Sequence, residues 1–402
     1  MVDAAAPLAG RPVGATAETT GRNGAATSVA VGTSDRLEIY AEAAADGLYS
    51  PAQSPLWIGS WLAEKRADIV VAAIRREGHS IFSVALEVAS RGPVRTASFM
   101  GGRHANGNFV PVSRADARSI SIDDLGLLIG AIRKTRPDID LIAFERLATD
   151  IAGIPNPLLL LPSQQSPNLS LAVDLAGGFD ALLARAGGKR KRKKHRSQTR
   201  KFEAAGGFRR LEARTPAEVD ELLGAFFAMK AVRFGKMGIA DVFADPEVQS
   251  FFRAIFSKSL ASASPPFVLH ALEVAGRIRA VTGSSRCHDR LICEFGAIAE
   301  DDLAFASPGE FLFFDNIEEA CKEGLAVYDF SVGDEPYKRL WCDLEIRQFD
   351  VLVPLTLRGW VAASLLRLKT RAKAFVKNNR LVWTLVKTFR KKAAAQAEAT
   401  DD

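Results

Sequence analysis

Two kinds of hydrophobic pattern alternate along the chain, and their order predicts an α/β protein. Apolar residues recur every three or four positions in some segments, as in amphipathic helices. In others they alternate or form short runs bounded by turn residues, as in strands. In the first half the pattern predicts a helix, three successive strands, a second helix and a further strand, at residues 54–65, 68–78, 79–90, 93–102, 121–135 and 138–147.

A longer series with a similar order begins near residue 168. Helices are predicted at 179–207 (interrupted at Gly187 and Gly188), 215–236, 246–260 and 310–324, and strands at 208–214, 267–276, 277–288, 290–300, 327–333 and 345–354. Thr215, Pro216 and Glu218 supply an N-cap, a first-turn proline and a capping-box acid. The shared order indicates an internal duplication of one α/β unit.

Composition predicts a different character for the two ends. Residues 1–35 are rich in Ala, Gly, Thr and Ser and hold no aromatic residue, so we expect this segment to be disordered. Residues 356–392 predict two basic amphipathic helices that carry Trp360 and Trp383, and residues 393–402 predict a frayed tail. Such helices suit an anionic membrane surface, but they also suit a helical hairpin packed on the body.

The net charge of +6 conceals two concentrations of positive charge. Residues 189–201 contain nine Lys or Arg and residues 356–392 contain eleven, with no acid in either segment, so the rest of the chain sums to −14. Clustered basic charge favours an anionic partner: a phosphate-bearing cofactor, a nucleic acid or a membrane surface. No aromatic residue interrupts the first segment, so base stacking, and with it nucleic-acid binding, is not favoured.

The sequence indicates neither a metal site nor a disulfide framework. The four cysteines form no CxxC pair, and the five histidines have no spacing that suggests a catalytic triad or a metal centre. No apolar run is long enough for a membrane-spanning helix, and the N-terminus lacks the pattern of a secretory signal. We therefore expect a cytoplasmic protein.

The stretch from Ala306 to Trp341 combines a turn, a helix, a strand and a charged loop. The unpaired amides at the start of a helix, together with its dipole, form a ready site for a pyrophosphate. Gly309 permits a close backbone approach there, and Ser307 is placed to cap the helix or to bind a phosphate oxygen. The alternative is an ordinary helix start with nothing bound.

Acidic and hydroxyl side chains in and near the following strand are candidates for proton transfer. Asp329 or Glu335 is a candidate base, Tyr337 a candidate acid, and Lys338 a candidate for neutralising a developing oxyanion. The alternative is a surface loop with a local ion pair. Glu294 lies in an otherwise apolar strand, where it is either a general base with a raised pKa or a solvated surface residue.

The element order resembles that of the GNAT acyltransferase fold, and its duplication resembles the tandem Fem-type peptidoglycan aminoacyltransferases. Three segments are similar to the CelD/BcsL family of acetyltransferases of cellulose biosynthesis: SPLWIGSW, KRKKHRSQTRKFEAAGG and the stretch from Ala306 to Trp341. The resemblance covers roughly residues 40 to 355. The usual GNAT phosphate loop is Gln/Arg-x-x-Gly-x-Gly/Ala, whereas the turn here keeps Gly309 alone of these glycines.

The resemblance implies tandem GNAT domains at 36–167 and 168–355, each with a mixed central sheet flanked by helices. It implies acetyl transfer from acetyl-CoA to an amine or hydroxyl of a cell-surface polysaccharide precursor, which would be a polysaccharide or a lipid-linked sugar. The implied donor-binding residues are Ser307, Pro308, Gly309 and Glu310, the catalytic ones Asp329, Glu335, Tyr337 and Lys338, and the substrate-binding ones Glu294, Trp341 and Arg196.

Two alternatives remain open at this point. One is a Fem-like transferase that uses aminoacyl-tRNA, in which the basic run at 189–201 contacts the RNA backbone. The other is a catalytically inactive GNAT fold that serves as a scaffold for a polysaccharide synthase, which the missing glycines of the phosphate loop would favour.

Overall fold

The computed structural model describes residues 16–20 and 26–378. In the first half, short apolar runs form strands and two amphipathic segments begin at serine N-caps, Ser54 and Ser121. The elements are β1 (Thr16–Thr20), β2 (Ala26–Gly32), α1 (Leu37–Ala45), β3 (Gly47–Leu48), α2 (Pro55–Lys65), β4 (Ile69–Arg76), β5 (His79–Arg91), β6 (Val94–Phe99), β7 (Val112–Ser113), α3 (Ile122–Thr135), β8 (Leu141–Leu147), β9 (Asp150–Ile151) and β10 (Ile154–Pro155).

The second half follows the predicted order closely. Thr215 and Glu218 form the predicted capping box, and the helix break falls at Gly187, whose φ is +71°. The elements are β11 (Ser163–Asp174), α4 (Gly178–Arg185), α5 (Gly188–Ala204), β12 (Phe208–Glu212), α6 (Pro216–Lys236), α7 (Pro246–Ser259), β13 (Phe267–Val274), β14 (Arg277–Cys287), β15 (Arg290–Ile298), α8 (Pro308–Lys322), β16 (Val327–Val332), α9 (Pro336–Arg339), β17 (Leu344–Pro354) and α10 (Leu357–Asn378).

One mixed sheet runs through both halves. Its order is β1-β2-β4-β5-β6-β8-β17-β11-β16-β15-β14-β13-β12, and its parallel pairs in the described residues are β6–β8 and β15–β16. Helices cover the faces of this sheet, and α2 of the first half packs on α7 of the second through Trp57 and Phe251, whose ring centroids are 4.8 Å apart. The predicted α/β fold with mixed sheets flanked by helices is confirmed.

The two halves share strands at the predicted boundary between residues 167 and 168. Strand β11 crosses that boundary, and β17, the last strand of the second half, pairs with β11 on one side and β8 on the other. The β11–β17 register shifts between Gln165 and Leu169, around Pro167. Proline has no N–H to donate to a neighbouring strand, so within a sheet it is tolerated at a bulge. In the sequence alone, such a proline resembles the proline of a linker between domains.

The N-terminal segment is ordered in part, so the prediction of disorder through residue 35 is wrong for residues 16–20 and 26–35. Strand β2 pairs along its length with β4, and Val29 and Val31 are buried in the core. The short Val-Ala-Val run gains a partner strand that composition alone does not reveal. Residues 1–15 and 21–25 lie outside the described residues, as do the tail at 393–402 and the second predicted basic helix.

Helix α10 packs on the sheet by one side. Ala363 is fully buried against Leu141, Ala143 and Leu352 of β8 and β17. Gly359 lies so close to Asp140 that an added Cβ would overlap its carbonyl oxygen, so a small residue is required where the helix begins. No helix within residues 16–20 and 26–378 is both long and apolar enough to cross a membrane.

Candidate active site

Strands β15 and β16 separate from one another after their first three residues. They pair in parallel at Arg290–Val327, Leu291–Tyr328 and Ile292–Asp329, and no further pair follows towards their carboxyl ends. Ligands of open α/β sheets bind beyond the carboxyl ends of strands, and an opening between two parallel strands offers unpaired backbone groups there. We call the point where the strands separate, at Ile292 and Asp329, the apex.

A bulge places Glu294 just beyond this apex. Across the neighbouring strand β14, Cys293 lies opposite Ser284 and Phe295 lies opposite Gly283, so Glu294 is the extra residue of β15. Such a bulge redirects a side chain relative to the regular alternation of the strand. Glu294 accepts a hydrogen bond from the Ser285 hydroxyl at 2.6 Å.

The environment of Glu294 makes it a base suited to neutral pH. Burial raises the pKa of its carboxyl to about 7, the Ser285 hydrogen bond lowers this pKa, and the negative charge of Asp329 raises it further. A group with a pKa near the working pH combines a large deprotonated fraction with useful basicity. The sequence predicted that Glu294 is either a general base or a solvated surface residue. Its partly buried position favours the first prediction.

Asp329 lies at the apex itself, buried on β16. Its carboxylate accepts the backbone N–H of Ser331 at 2.7 Å, and burial raises its pKa, against the effects of that hydrogen bond and of Arg290 and Lys338. The predicted candidate bases Asp329 and Glu294 are therefore electrostatic neighbours. Because both are acids, each disfavours ionisation of the other.

A cavity of about 360 Å³ between the two halves reaches the apex. The second half supplies Asp329, Arg290 and Ile292, and the first half supplies residues that include Ser50, Gly107 and Ala148. In its wall, Gln348 is almost fully buried and donates from Nε2 to the Ser170 hydroxyl at 3.2 Å. Its Oε1 has no hydrogen-bond partner within the described part of the chain, which is a costly state for a buried acceptor.

The charged loop after β16 holds itself together. The buried Lys338 ammonium donates to the carbonyl of Val332 at 3.1 Å and pairs with Glu335 at 3.0 Å. The Lys338 ammonium is thus already bound to groups of its own loop. This geometry does not favour a role in neutralising an oxyanion. The Tyr337 ring stacks on Phe313 at 5.6 Å and stays 40% exposed, while burial raises the pKa of its phenol, which keeps it a protonated candidate acid.

The three predicted substrate-binding residues lie outside the cavity wall: Glu294 lies just beyond the apex, and Trp341 and Arg196 lie elsewhere in the second half. Trp341 is only 4% exposed: the Lys191 ammonium sits 4.2 Å from its ring centroid and donates to the Leu340 carbonyl at 2.6 Å. The resemblance implied a substrate-binding role for Trp341, but its indole is buried by α5 and α8. Arg196 is exposed on α5 and makes no ion pair among the described residues.

The turn before α8 has an unusual conformation at Ser307 rather than at Gly309. Ser307 is left-handed, with φ +56° and ψ +61°, and its hydroxyl does not cap the helix. Gly309 is needed for close approach, because an added Cβ would lie 2.6 Å from Ile298 Cγ2 at the end of β15. Pro308 starts the helix, and Glu310 in its first turn pairs with Lys194 of α5.

Two further residues of this region were missed by the sequence analysis. Buried Gln198 of α5 donates to the carbonyls of Ala306 at 2.9 Å and Ser307 at 3.1 Å, which fixes the turn. Lys230 of α6 is mostly buried among phenylalanine rings; burial and the nearby charge of Arg233 lower its pKa, while Asp241 and Glu335 raise it. A glutamine inside a basic run, and one lysine inside an apolar helix stripe, were the available signals.

Part of the second half is similar to a known protein family. Residues 189–339 match the sequence model of a family described as an acetyltransferase (GNAT) domain. The prediction of a GNAT-type acyltransferase domain is thereby confirmed for this part of the chain. The matched residues include β15, the start of α8, β16 and α9, so they span the opening, Glu294 and Asp329.

Solved structures resemble about four fifths of the chain at low sequence identity. FemX is 12% identical, with 79% of this chain and 95% of that chain covered and a TM-score of 0.53, which shows a shared fold. A tandem GNAT protein from the clavulanic acid biosynthesis pathway is 12% identical, with coverages of 82% and 99% and a TM-score of 0.43. L-PGS from Bacillus licheniformis is 11% identical, with coverages of 80% and 97% and a TM-score of 0.44. No curated protein sequence matches the chain.

Proposed function

We propose that this chain transfers an acetyl group from acetyl-CoA to a hydroxyl or amine of a sugar, as part of the synthesis of a cell-surface polysaccharide in the cytoplasm. The observation that carries the proposal is Glu294, a carboxyl with a pKa of about 7 beside the opening of a GNAT-type domain. The resemblance to the CelD/BcsL family supports the polysaccharide setting.

The turn before α8 has features that suit the phosphates of the donor. Lys194 pairs with Glu310 in the first turn of α8, where a phosphate would compete for it, and the Lys201 ammonium lies 5.0 Å from the centroid of the Phe305 ring in the loop before it. Gln198 donates hydrogen bonds to two backbone carbonyls, whose negative dipoles would otherwise face a bound anion. The Gly309 amide, at the positive end of α8, would complete this set. When bound, the donor supplies a thioester carbonyl.

Glu294 would remove the acceptor proton. As the acceptor oxygen or nitrogen bonds to the carbonyl carbon, its proton passes to the Glu294 carboxylate, and the carbon–sulfur bond breaks. The thiolate takes a proton from Tyr337, whose raised pKa keeps the phenol protonated until that moment. The transfer is direct, because burial raises the pKa values of Cys287 and Cys293 to about 12 and keeps these thiols protonated.

The cavity between the halves suits a hydroxyl-rich acceptor. Its walls offer donors on Arg290 and Arg347, acceptors on Asp289 and Asp329, and the Gln348 Oε1, for which no partner is found in the described residues. A sugar presents both donors and acceptors at short spacing. A hydroxyl that donates to Gln348 would remove the cost of that buried oxygen.

A Fem-like transferase that uses aminoacyl-tRNA is the second candidate, and the exposed cations of α5 favour it. Lys193, Arg196 and Arg200 are exposed and make no ion pair within the described residues. Cations of this kind suit a phosphate backbone, and their contribution would fall steeply with salt.

Thiol release is the test of the proposed function. The full chain is mixed with acetyl-CoA and a panel of hexoses, amino sugars and nucleotide sugars, and free thiol is followed while mass spectrometry identifies the product. We expect thiol release that depends on an added sugar, with a product one acetyl group heavier. Transfer from aminoacyl-tRNA alone would replace the proposal with the Fem-like function, and activity with neither donor would favour the scaffold.

A further inference from the structure

Helix α10 exposes a row of large apolar side chains. Leu357, Val361, Leu365 and Leu368 recur at helical spacing and are 80%, 48%, 62% and 64% exposed, and Trp360 beside them is 58% exposed. An isolated exposed leucine is common on protein surfaces. A contiguous row of five along one helix marks an interaction surface. We call these five residues the apolar row.

The apolar row points away from the body because the other side of α10 is anchored. Gly359 and Ala363 lie against β8 and β17, and Arg367 donates to the Leu352 carbonyl at 3.0 Å. The packing on the sheet therefore leaves the row to another partner.

Positive charge flanks the row. By helical geometry Arg358 and Lys369 lie along one edge of it and Arg371 along the other, and all three are exposed. No acidic residue occurs between residues 356 and 392. The surface is therefore an apolar strip bordered by cations on both sides.

We propose that α10 binds the surface of a membrane containing anionic phospholipid, lying in the plane of the interface with the apolar row inserted between the headgroups. An apolar strip with Trp at its side and Lys or Arg at its edges matches both layers of such an interface. The leucines would enter the boundary of the acyl chains, and the cations would remain level with the phosphates.

Charge complementarity favours lipid over the other possible occupants. In a two-fold dimer through this face, each edge of cations would lie near cations of the second copy. The segment 379–392 carries five more Lys or Arg and no acid, so it would be repelled by this surface as well. An anionic lipid surface complements the row and its edges together.

The position of α10 gives this contact a consequence for the proposed acceptor. Leu352, under α10, and Gln348, in the cavity wall, are four residues apart on β17. Along a strand this is about 13 Å. A sugar held at the membrane by a lipid anchor would thus be near the cavity.

Vesicle flotation with the full chain tests the contact. We compare vesicles of phosphatidylcholine alone with equimolar phosphatidylcholine and phosphatidylglycerol, using the natural chain, the pair Leu365→Glu with Leu368→Glu, and the control Leu160→Glu. Leu160 is an exposed leucine outside α10. We expect binding to the anionic vesicles, at least a tenfold loss in the double variant, and no change in the control.

Charge is tested by replacing Arg358, Lys369 and Arg371 with Gln. Each cation near an anionic surface contributes a factor of about five, so we expect a large loss on anionic vesicles. Equal binding of the natural chain to both vesicle types, or unchanged binding of the leucine double variant, would overturn the proposal. A dimer in solution that the double variant abolishes, without vesicle binding, would assign the row to a second copy instead.

Discussion

Glu294→Gln is expected to lower kcat for acetyl transfer by about 10²- to 10⁴-fold, the usual contribution of a general base. Glutamine has the shape of glutamate and can still accept the Ser285 hydroxyl, but it cannot take a proton. Acetyl-CoA binding, measured by calorimetry, should be unchanged. In the natural chain the rate should fall about tenfold per pH unit below the Glu294 pKa of about 7, because the base is then protonated.

The same variant has a stability signature that does not depend on an acceptor. The pKa of Glu294 is raised on folding, so the folded chain holds this proton more tightly than the unfolded chain. The contribution of Glu294 to the free energy of unfolding should therefore fall as the pH rises from about 4.5 to about 7. The Gln variant has no carboxyl to titrate at this position. Its free energy of unfolding relative to that of the natural chain should therefore increase by on the order of 2 kcal/mol over this pH range.

A matched control for Glu294→Gln is Glu273→Gln. Glu273 lies on β13 of the same sheet and pairs with Arg209 at 2.9 Å on the surface. We expect this variant to keep its kcat and its pH profile. A Glu294→Gln enzyme that keeps full activity would exclude Glu294 as the base and leave Asp329 as the next candidate.

Ala148→Trp is expected to lower kcat/KM for the acceptor by roughly a hundredfold or more while the affinity for acetyl-CoA stays the same. Ala148 belongs to the first half and lines the cavity, and a bulky side chain there would occupy the space that we assign to the sugar. Losing the contacts that position a substrate lowers the reaction rate strongly, because small displacements of the reacting atoms raise the barrier.

Ala148→Ser is the control for this effect, since it changes the same position without filling the cavity. Thermal unfolding should show that both variants are folded. An Ala148→Trp enzyme with unchanged kcat/KM would place the acceptor elsewhere. Equal losses in acceptor and donor binding would mean that the substitution distorts the opening rather than blocking the cavity.

Much of the second half could be predicted from local signals. Short segments were enough to predict the capping box at Thr215, the helix break at Gly187 and the alternating strands. Each of these features depends on neighbours within a few residues. The division into halves could not be placed as well. Strand β17 pairs with β8 across the predicted boundary, and a pairing over more than two hundred residues leaves no local signal in the sequence.

Local signals likewise predicted only part of the candidate site. Glu294 was recognised as an acid in an apolar strand, but the bulge that redirects it depends on the register with β14. The cavity needs both halves, so Gln348 and Ala148 carry no signal of their own. Trp341 and Lys338 look exposed in a charged loop, yet α5 covers the first and the loop carbonyls bind the second.

Acetyl-CoA is expected to bind at the opening between β15 and β16. Calorimetric titration of the natural chain with acetyl-CoA tests it most directly, with aminoacyl-tRNA titrated in parallel. We predict saturable binding of one acetyl-CoA per chain, lost in Gly309→Val, where a side chain would collide with Ile298 and displace the start of α8. No heat of binding at saturating acetyl-CoA, together with salt-sensitive binding of aminoacyl-tRNA, would contradict the account.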